Sequence, residues 1–207
     1  KHTHDLWVGD FEEGPYVIEQ NEVLPTYLSA FIDCHSRYVV AARYYLRQNL
    51  QVLIDTLVRG LAGHRAPNGL YLDNAKVYHS RGLKRACYLI DTRLIYRPEG
   101  DPSPGGIIER LFMTIQNRFE KEVRAGNILT IDQLNQALSA FLAMDYHVCV
   151  HSDTGQTPED RYQQGLVRIR AADIHDVLAA FMEKVERRVN PEVSDVHFNN
   201  VFYRLDP

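Results

Sequence analysis

Residues 26–46 read TYLSAFIDC-HSR-YVVAARYYL. Thr26 to Cys34 and Tyr38 to Leu46 are rich in aromatic and β-branched residues, which suits pleated strands. His35-Ser36-Arg37 between them reads as a tight turn, so the two runs form a β-hairpin. Upstream, Leu6-Trp7-Val8-Gly9-Asp10-Phe11 reads as a short strand ending near a carboxylate. Residues 12–25 are polar and interrupted by Gly14-Pro15 and Pro25, and read as a loop or hairpin excursion.

Downstream the period changes. Asn49 is an N-cap for a helix carrying Leu50, Leu53, Ile54, Leu57, Val58 and Leu61, with Gly63 ending the run. Gly69 to Asn74 (GLYLDN) is a short buried strand after a Pro67-Asn68-Gly69 turn. Ser80 to Tyr88 is a short helix and Thr92 to Tyr96 another strand. Glu99 to Gly106 (EGDPSPGG) is a breaker-rich loop, expected to be mobile. Ile107 to Val123 is helical, with Ile108, Leu111, Phe112, Ile115 and Phe119 in one stripe. Thr130 opens a further helix, Thr157-Pro158-Glu159 starts a short one with Pro at its first position, and Ala172 to Glu183 is the last. Val193 to Phe198 and Val201 to Leu205 are strand-like around Asn199-Asn200, a hairpin signal. Strands paired as a meander and then alternating with helices imply an α/β fold, a mixed sheet with helices on its faces.

The composition sets outer bounds. The chain has 207 residues, 45% hydrophobic and 24% charged, ordinary for one generous globular domain. Cys34, Cys87 and Cys149 form no C-x-x-C pair, which argues against a disulfide scaffold or cysteine-based zinc site and suits a reducing, cytoplasmic setting. No apolar run approaches the ~20 residues of a membrane span. The start at Lys1 rather than Met leads us to expect a fragment of a longer chain. The net charge of −4 argues on its face against a nucleic-acid partner. Its distribution qualifies that: residues 37–75 carry +3 and 76–125 carry +4, between ends of −6 and −5.

Three carboxylates sit where a site is built. Asp10 lies on the first strand, Asp73 ends a later one, and Glu109 lies in the first turn of a helix behind the breaker-rich loop, at the edge of its buried stripe. Sites in α/β sheets gather at strand ends and adjoining loops. Taken singly, an Asp after a strand also serves as a turn residue, and a Glu in a first helical turn as a complement to the macrodipole.

In order, Trp7-Val8-Gly9-Asp10, Phe31-Ile32-Asp33 with Ser36-Arg37, Tyr71-Leu72-Asp73-Asn74 and Gly106-Ile107-Ile108-Glu109-Arg110 resemble the catalytic core of DDE transposases and retroviral-type integrases. Thirty-five residues separate Asp73 from Glu109, the family's typical spacing. Tyr146-His147, Thr157-Pro158 and Arg161-Tyr162 are similar to the tail of bacterial transposase cores. The resemblance covers roughly residues 5–165. It implies an RNase H-like five-stranded mixed sheet over residues 1–168. Residues 169–207 would then supply a helix and the start of a C-terminal β-barrel-like segment, similar to that of phage Mu-type transposases.

The resemblance implies that Asp10, Asp73 and Glu109 are catalytic and bind two Mg2+ ions, with Mn2+ as a substitute. Two metals about 4 Å apart activate a water or 3′-hydroxyl and stabilise the leaving alkoxide, so no side-chain nucleophile is required. The expected reaction is DNA strand cleavage and 3′-end strand transfer. The alternatives are an RNase H-like nuclease that only hydrolyses, or an inactive DNA-binding or assembly module. Implied partners are element-end and target DNA, a second copy in a dimer or larger assembly on paired ends, and, for the Mu-type branch, an ATPase that selects targets. The setting is the bacterial nucleoid, with no membrane. Candidate DNA contacts are Asn74, Lys76, Arg110, Arg118, Lys121 and Arg124. The chain departs from the family where Ala75 replaces a Gly and Ile107 a Lys, and where Phe112, Met113 and Gln116 leave one helix face poor in basic residues. The recognition modules that bind element ends have no counterpart in the chain, so the core alone is expected to bind DNA weakly.

The remaining polar residues read as structural. Asp33 to Arg37 form a turn whose groups satisfy one another. His147 and His151 are structural or substrate-facing, His2 and His4 carry no metal pattern, and Cys34 is a buried small residue.

Overall fold

The computed structural model describes residues 2–98, 105–127, 129–167, 170–182, 195–198 and 201–204. Strand β1 (Trp7–Glu13) runs further than its apolar residues suggest, because Glu13 still pairs with Tyr27 on the neighbouring strand. Asp10 therefore lies in mid-strand. The excursion after it is a small hairpin, β2 (Val17–Glu19) and β3 (Glu22–Leu24). Then come β4 (Tyr27–Asp33) and β5 (Val39–Tyr45), the hairpin read at 26–46. Its turn places Arg37 at φ 66°.

Helix α1 (Leu50–His64) starts at Asn49, whose side chain accepts the Val52 N–H at 3.0 Å. It runs past Gly63 and stops at Arg65, where φ is 77°. It carries the chain across to β6 (Gly69–Leu72), which lies parallel to β1. Helix α2 (Arg81–Leu89), capped by Ser80, crosses to β7 (Arg93–Tyr96), parallel to β6. The sheet order is β5-β4-β1-β6-β7, antiparallel on one side and parallel on the other, the mixed five-stranded sheet expected.

Residues 99–104 of the breaker-rich loop lie outside the described residues. Its last two, Gly105 and Gly106, already belong to α3 (Gly105–Ile115). A π-helical turn (Gln116–Glu120) joins α3 to α4 (Lys121–Ala125). Helix α5 (Ile131–Phe141) opens with a full capping box between Thr130 and Gln133. Helix α6 (Pro158–Gln164) starts at Thr157 with proline at its first turn, and α7 (Ile174–Ala180) starts at Asp173, shorter than the 172–183 expected. Strands β8 (Asp195–Phe198) and β9 (Val201–Arg204) pair antiparallel with each other; Asn199 and Asn200 lie outside the described residues.

Alternation along the strands builds two cores. Trp7, Phe11, Phe31 and Leu72 face α1, α2 and α7 through Leu53, Leu57, Leu83 and Val177. Val8, Ala30, Ile32 and Tyr71 face α3 and α5 through Ile108, Leu111, Ile115, Leu134 and Leu138. Edge strand β5 is not left bare. Buried Asn135 of α5 accepts the Tyr44 N–H at 2.8 Å and donates to the Tyr44 carbonyl at 3.0 Å, satisfying groups that would otherwise template another strand. Cys34 is half-buried rather than buried, since it follows the last paired residue of β4.

Candidate active site

The register explains how the carboxylates meet. Val8 lies opposite Tyr71, so two residues on, where β1 and β6 part, Asp10 stands beside Asp73. On the other side of β6, Leu72 pairs with Tyr96, and the next residue of that strand end is Arg97. Its N–H extends the ladder to the Leu72 carbonyl at 2.9 Å.

Asp10 is held by its Oδ1, which accepts the Phe11 N–H at 2.8 Å and the Tyr78 hydroxyl at 3.3 Å. Asp73 is held the same way, its Oδ1 accepting the Ala75 N–H at 2.8 Å. No donor among the described residues reaches Oδ2 of either. Burial pushes the Asp10 carboxyl up to about 6; the Phe11 N–H opposes this and the negative charge of Asp73 adds to it. Tyr78 is buried and stacks on Phe11, its ring 6.0 Å away. Burial and the charges of Asp10 and Asp73 keep its phenol firmly protonated, so it donates.

Glu109 sits on the exposed edge of α3 rather than against the buried stripe. Its carboxylate is engaged by Arg97, Nη2 to Oε1 at 3.1 Å. Among the described residues no three His, Cys, Asp or Glu side chains converge closely enough to hold a metal ion. Asp10 and Asp73 are together; Glu109 is paired with the Arg97 guanidinium instead.

Most of the expected DNA-contacting cations have protein partners. Arg110 pairs with Asp153 and Arg118 with Asp145. Arg124 pairs at 3.0 Å with Glu120, a buried carboxylate that also accepts the Tyr44 hydroxyl at 2.7 Å. Lys76 and Lys121 are exposed and make no ion pair among the described residues. Exposed Asn74 lies 2.8 Å from His79 Nε2. Arg97 and Tyr78 were not foreseen; no spacing or composition cue marks them.

A second polar cluster is structural. Asp33 is fully buried and accepts the His4 N–H, the Ser36 N–H and the Ser36 hydroxyl at 2.8, 2.8 and 2.6 Å. The Tyr162 hydroxyl bridges His4 and His64 at 3.0 and 2.9 Å, and His147 stacks on Tyr38 at 3.8 Å. His147 Nε2 accepts the Val39 N–H at 3.2 Å, and burial, with His64 nearby, lowers its pKa to about 4. This cluster ties the N-terminal segment and the hairpin turn to α6.

No protein-family model and no curated protein matches the chain. Solved structures do match. A chain of the simian T-cell lymphotropic virus intasome in complex with PP2A regulatory subunit B56 gamma is 20% identical, with TM-score 0.65 over 82% of this chain. This chain spans 58% of that one. The HTLV-2 integrase catalytic core domain in complex with magnesium (dimeric form) is 17% identical at TM-score 0.62, covering 78% of this chain and 97% of that one. The BIV integrase catalytic core domain is 15% identical at TM-score 0.61, covering 78% and 95%. The chain has the fold of retroviral integrase catalytic cores.

Proposed function

We propose that the chain is the catalytic core of a DNA transposase or integrase, a DDE-type polynucleotidyl transferase that cleaves DNA and joins 3′ ends to a target. The observation that carries this reading is Asp10 beside Asp73 at the parting of two parallel strands, each with one oxygen anchored and one open. The integrase-core fold supports it, and the HTLV-2 core is a magnesium complex.

The donor set fits hard divalent cations. It consists of carboxylate oxygens only, and the Asp10 pKa, raised chiefly by burial and further by the charge of Asp73, marks an ionised carboxylate that a cation would stabilise. Asp10 and Asp73 would hold the ions through their open oxygens, joined by Glu109. Two Mg2+ ions, or Mn2+ in their place, supply when bound the polarisation that activates water or a 3′-hydroxyl and stabilises the leaving alkoxide. The Phe11 N–H and Tyr78 hydroxyl orient Asp10, and the Ala75 N–H orients Asp73. None of these residues needs to move a proton.

A strand-transfer assay with a pre-cleaved DNA end tests this. Asp73→Asn should abolish metal-dependent joining while circular dichroism stays unchanged and the melting temperature does not fall; retained activity would sink the assignment. Hydrolysis without joining by the unaltered chain would favour the nuclease reading. No metal binding in calorimetry would favour an inactive assembly module.

The same proposal includes assembly as a dimer or larger multimer on paired DNA ends; dimeric and trimeric forms of the HTLV-2 core are known. The DNA contacts narrow to Lys76, Lys121 and Asn74, with Arg110, Arg118 and Arg124 contributing where DNA displaces their carboxylates. The slope of affinity against salt counts the phosphates engaged. The division at residue 168, the Mu-type branch, its ATPase partner and the nucleoid setting rest on the family resemblance alone. Terminal inverted repeats in the neighbouring DNA would support a mobile element, and an adjacent ATPase gene the Mu-type branch.

A further inference from the structure

Arg97 is a cation in the middle of the acidic site that the reaction does not call on. Its backbone is anchored to β6 by the Leu72 carbonyl, so the guanidinium is delivered to the strand ends by the sheet itself. Its Nη2 holds Glu109, and its charge acts on Asp10 as well. Its Nε is buried with no hydrogen-bond partner among the described residues. The buried Tyr71 hydroxyl faces the same guanidinium and interacts with it, and has no other partner among the described residues.

We propose that Arg97 is the built-in countercharge of the metal-free site: it latches Glu109 away from Asp10 and Asp73 and cedes it to a divalent cation. This rests on the catalytic-core reading above and adds how the third carboxylate is controlled. The latch is weak by construction. The side chains of Arg97 and Glu109 are 29% and 61% exposed, so solvent screens the pair. A pair of that kind holds by a factor of about five at most, about 1 kcal/mol. A doubly charged cation between three carboxylates exceeds that, so the pair opens when metal arrives. The Tyr71 hydroxyl beside it keeps the released guanidinium placed inside the protein. Glu109 is thus kept ordered and neutralised without metal and becomes a ligand only in its presence.

The test is calorimetric titration of Mn2+ alone into the chain at pH 8. There Asp10 is ionised whether or not Arg97 is present, so protons do not compete. Arg97→Gln should bind Mn2+ about fivefold more tightly than the unaltered protein. In a Glu109→Gln background the same change should shift affinity less than twofold, because the latch has nothing to hold. Equal or weaker binding by Arg97→Gln overturns the latch while leaving the catalytic reading standing. So does a gain that persists in full in the Glu109→Gln background, which would mean only diffuse charge repulsion. No Mn2+ binding by any of the four proteins overturns the catalytic reading and the latch with it. Gln retains the backbone bond to Leu72 and leaves no guanidinium Nε unpaired, so the variant should fold.

Discussion

Replacing Asp10 by Asn should make the metal-free protein more stable, and the gain should depend on pH in a defined way. The Asp10 carboxyl titrates at about 6 in the fold against 3.8 as the ordinary value, chiefly because burial disfavours the charged form and Asp73 adds a second negative charge. Between those values the folded state binds a proton that the unfolded state has released. Stability therefore falls as pH rises through this window, by about 1.4 kcal/mol per pH unit. Over the whole interval the ionised carboxylate costs about 3 kcal/mol at pH 7 and above. Asn removes the charge and keeps an oxygen to accept the Phe11 N–H and Tyr78 hydroxyl, so the positioning bonds survive. Urea unfolding with a chelator present, from pH 3.5 to 8, measures the difference between Asp10→Asn and the unaltered chain. It should be near zero at the acid end, grow between pH 4 and 6, and level off at about 3 kcal/mol. A flat difference, or a variant less stable at pH 8, would refute the claim that Asp10 is held ionised against its surroundings. That result would also remove the physical reason for a cation to bind there.

Three further outcomes follow from other parts of the molecule. His147 is neutral in the fold, with its pKa lowered to about 4, so its contribution is complete above 6.5 and lost as pH falls towards 4. His147→Gln should flatten the acid limb of the stability curve by about 3 kcal/mol, read from the difference between two pH series of urea melts. Asn135→Ala leaves the Tyr44 N–H and carbonyl of edge strand β5 without their partner and should cost about 1–3 kcal/mol in denaturant unfolding. Gly9→Ala brings a Cβ to 2.2 Å from the buried Phe31 ring and 3.0 Å from Leu72, which cannot yield without opening the core. The melting temperature should drop by the equivalent of about 1–3 kcal/mol.

Much of the fold was legible because its signals are local. The 26–46 hairpin, the caps at Asn49, Ser80, Thr130 and Thr157, and the apolar stripe of α3 each follow from neighbouring residues within one or two turns. The three candidate carboxylates could be placed on their elements from sequence, but it is the parallel pairing of β1 with β6 that sets Asp10 beside Asp73. Element ends were less so. β1 extends to Glu13 because β4 pairs with it, and α7 begins at Ile174 because Asp173 caps it. The exposed, Arg97-paired orientation of Glu109 also escaped the pattern, for its place on the helix is clear but its partner comes from the end of β7.

What the sequence determined by itself was the order of strands and helices, the two faces each strand presents, and the three acidic positions. These depend on side-chain period and capping chemistry, which act over a few residues. Only the tertiary structure decided which charges are paired. Arg97 meets Glu109 from the neighbouring strand end, Arg110 meets Asp153, Arg118 meets Asp145, and Tyr44 meets buried Glu120. Each partner arrives from a distant stretch of chain through packing. A residue's charge is written in its identity; whether it faces DNA, a metal or another side chain is set by what the fold brings within a few ångströms of it.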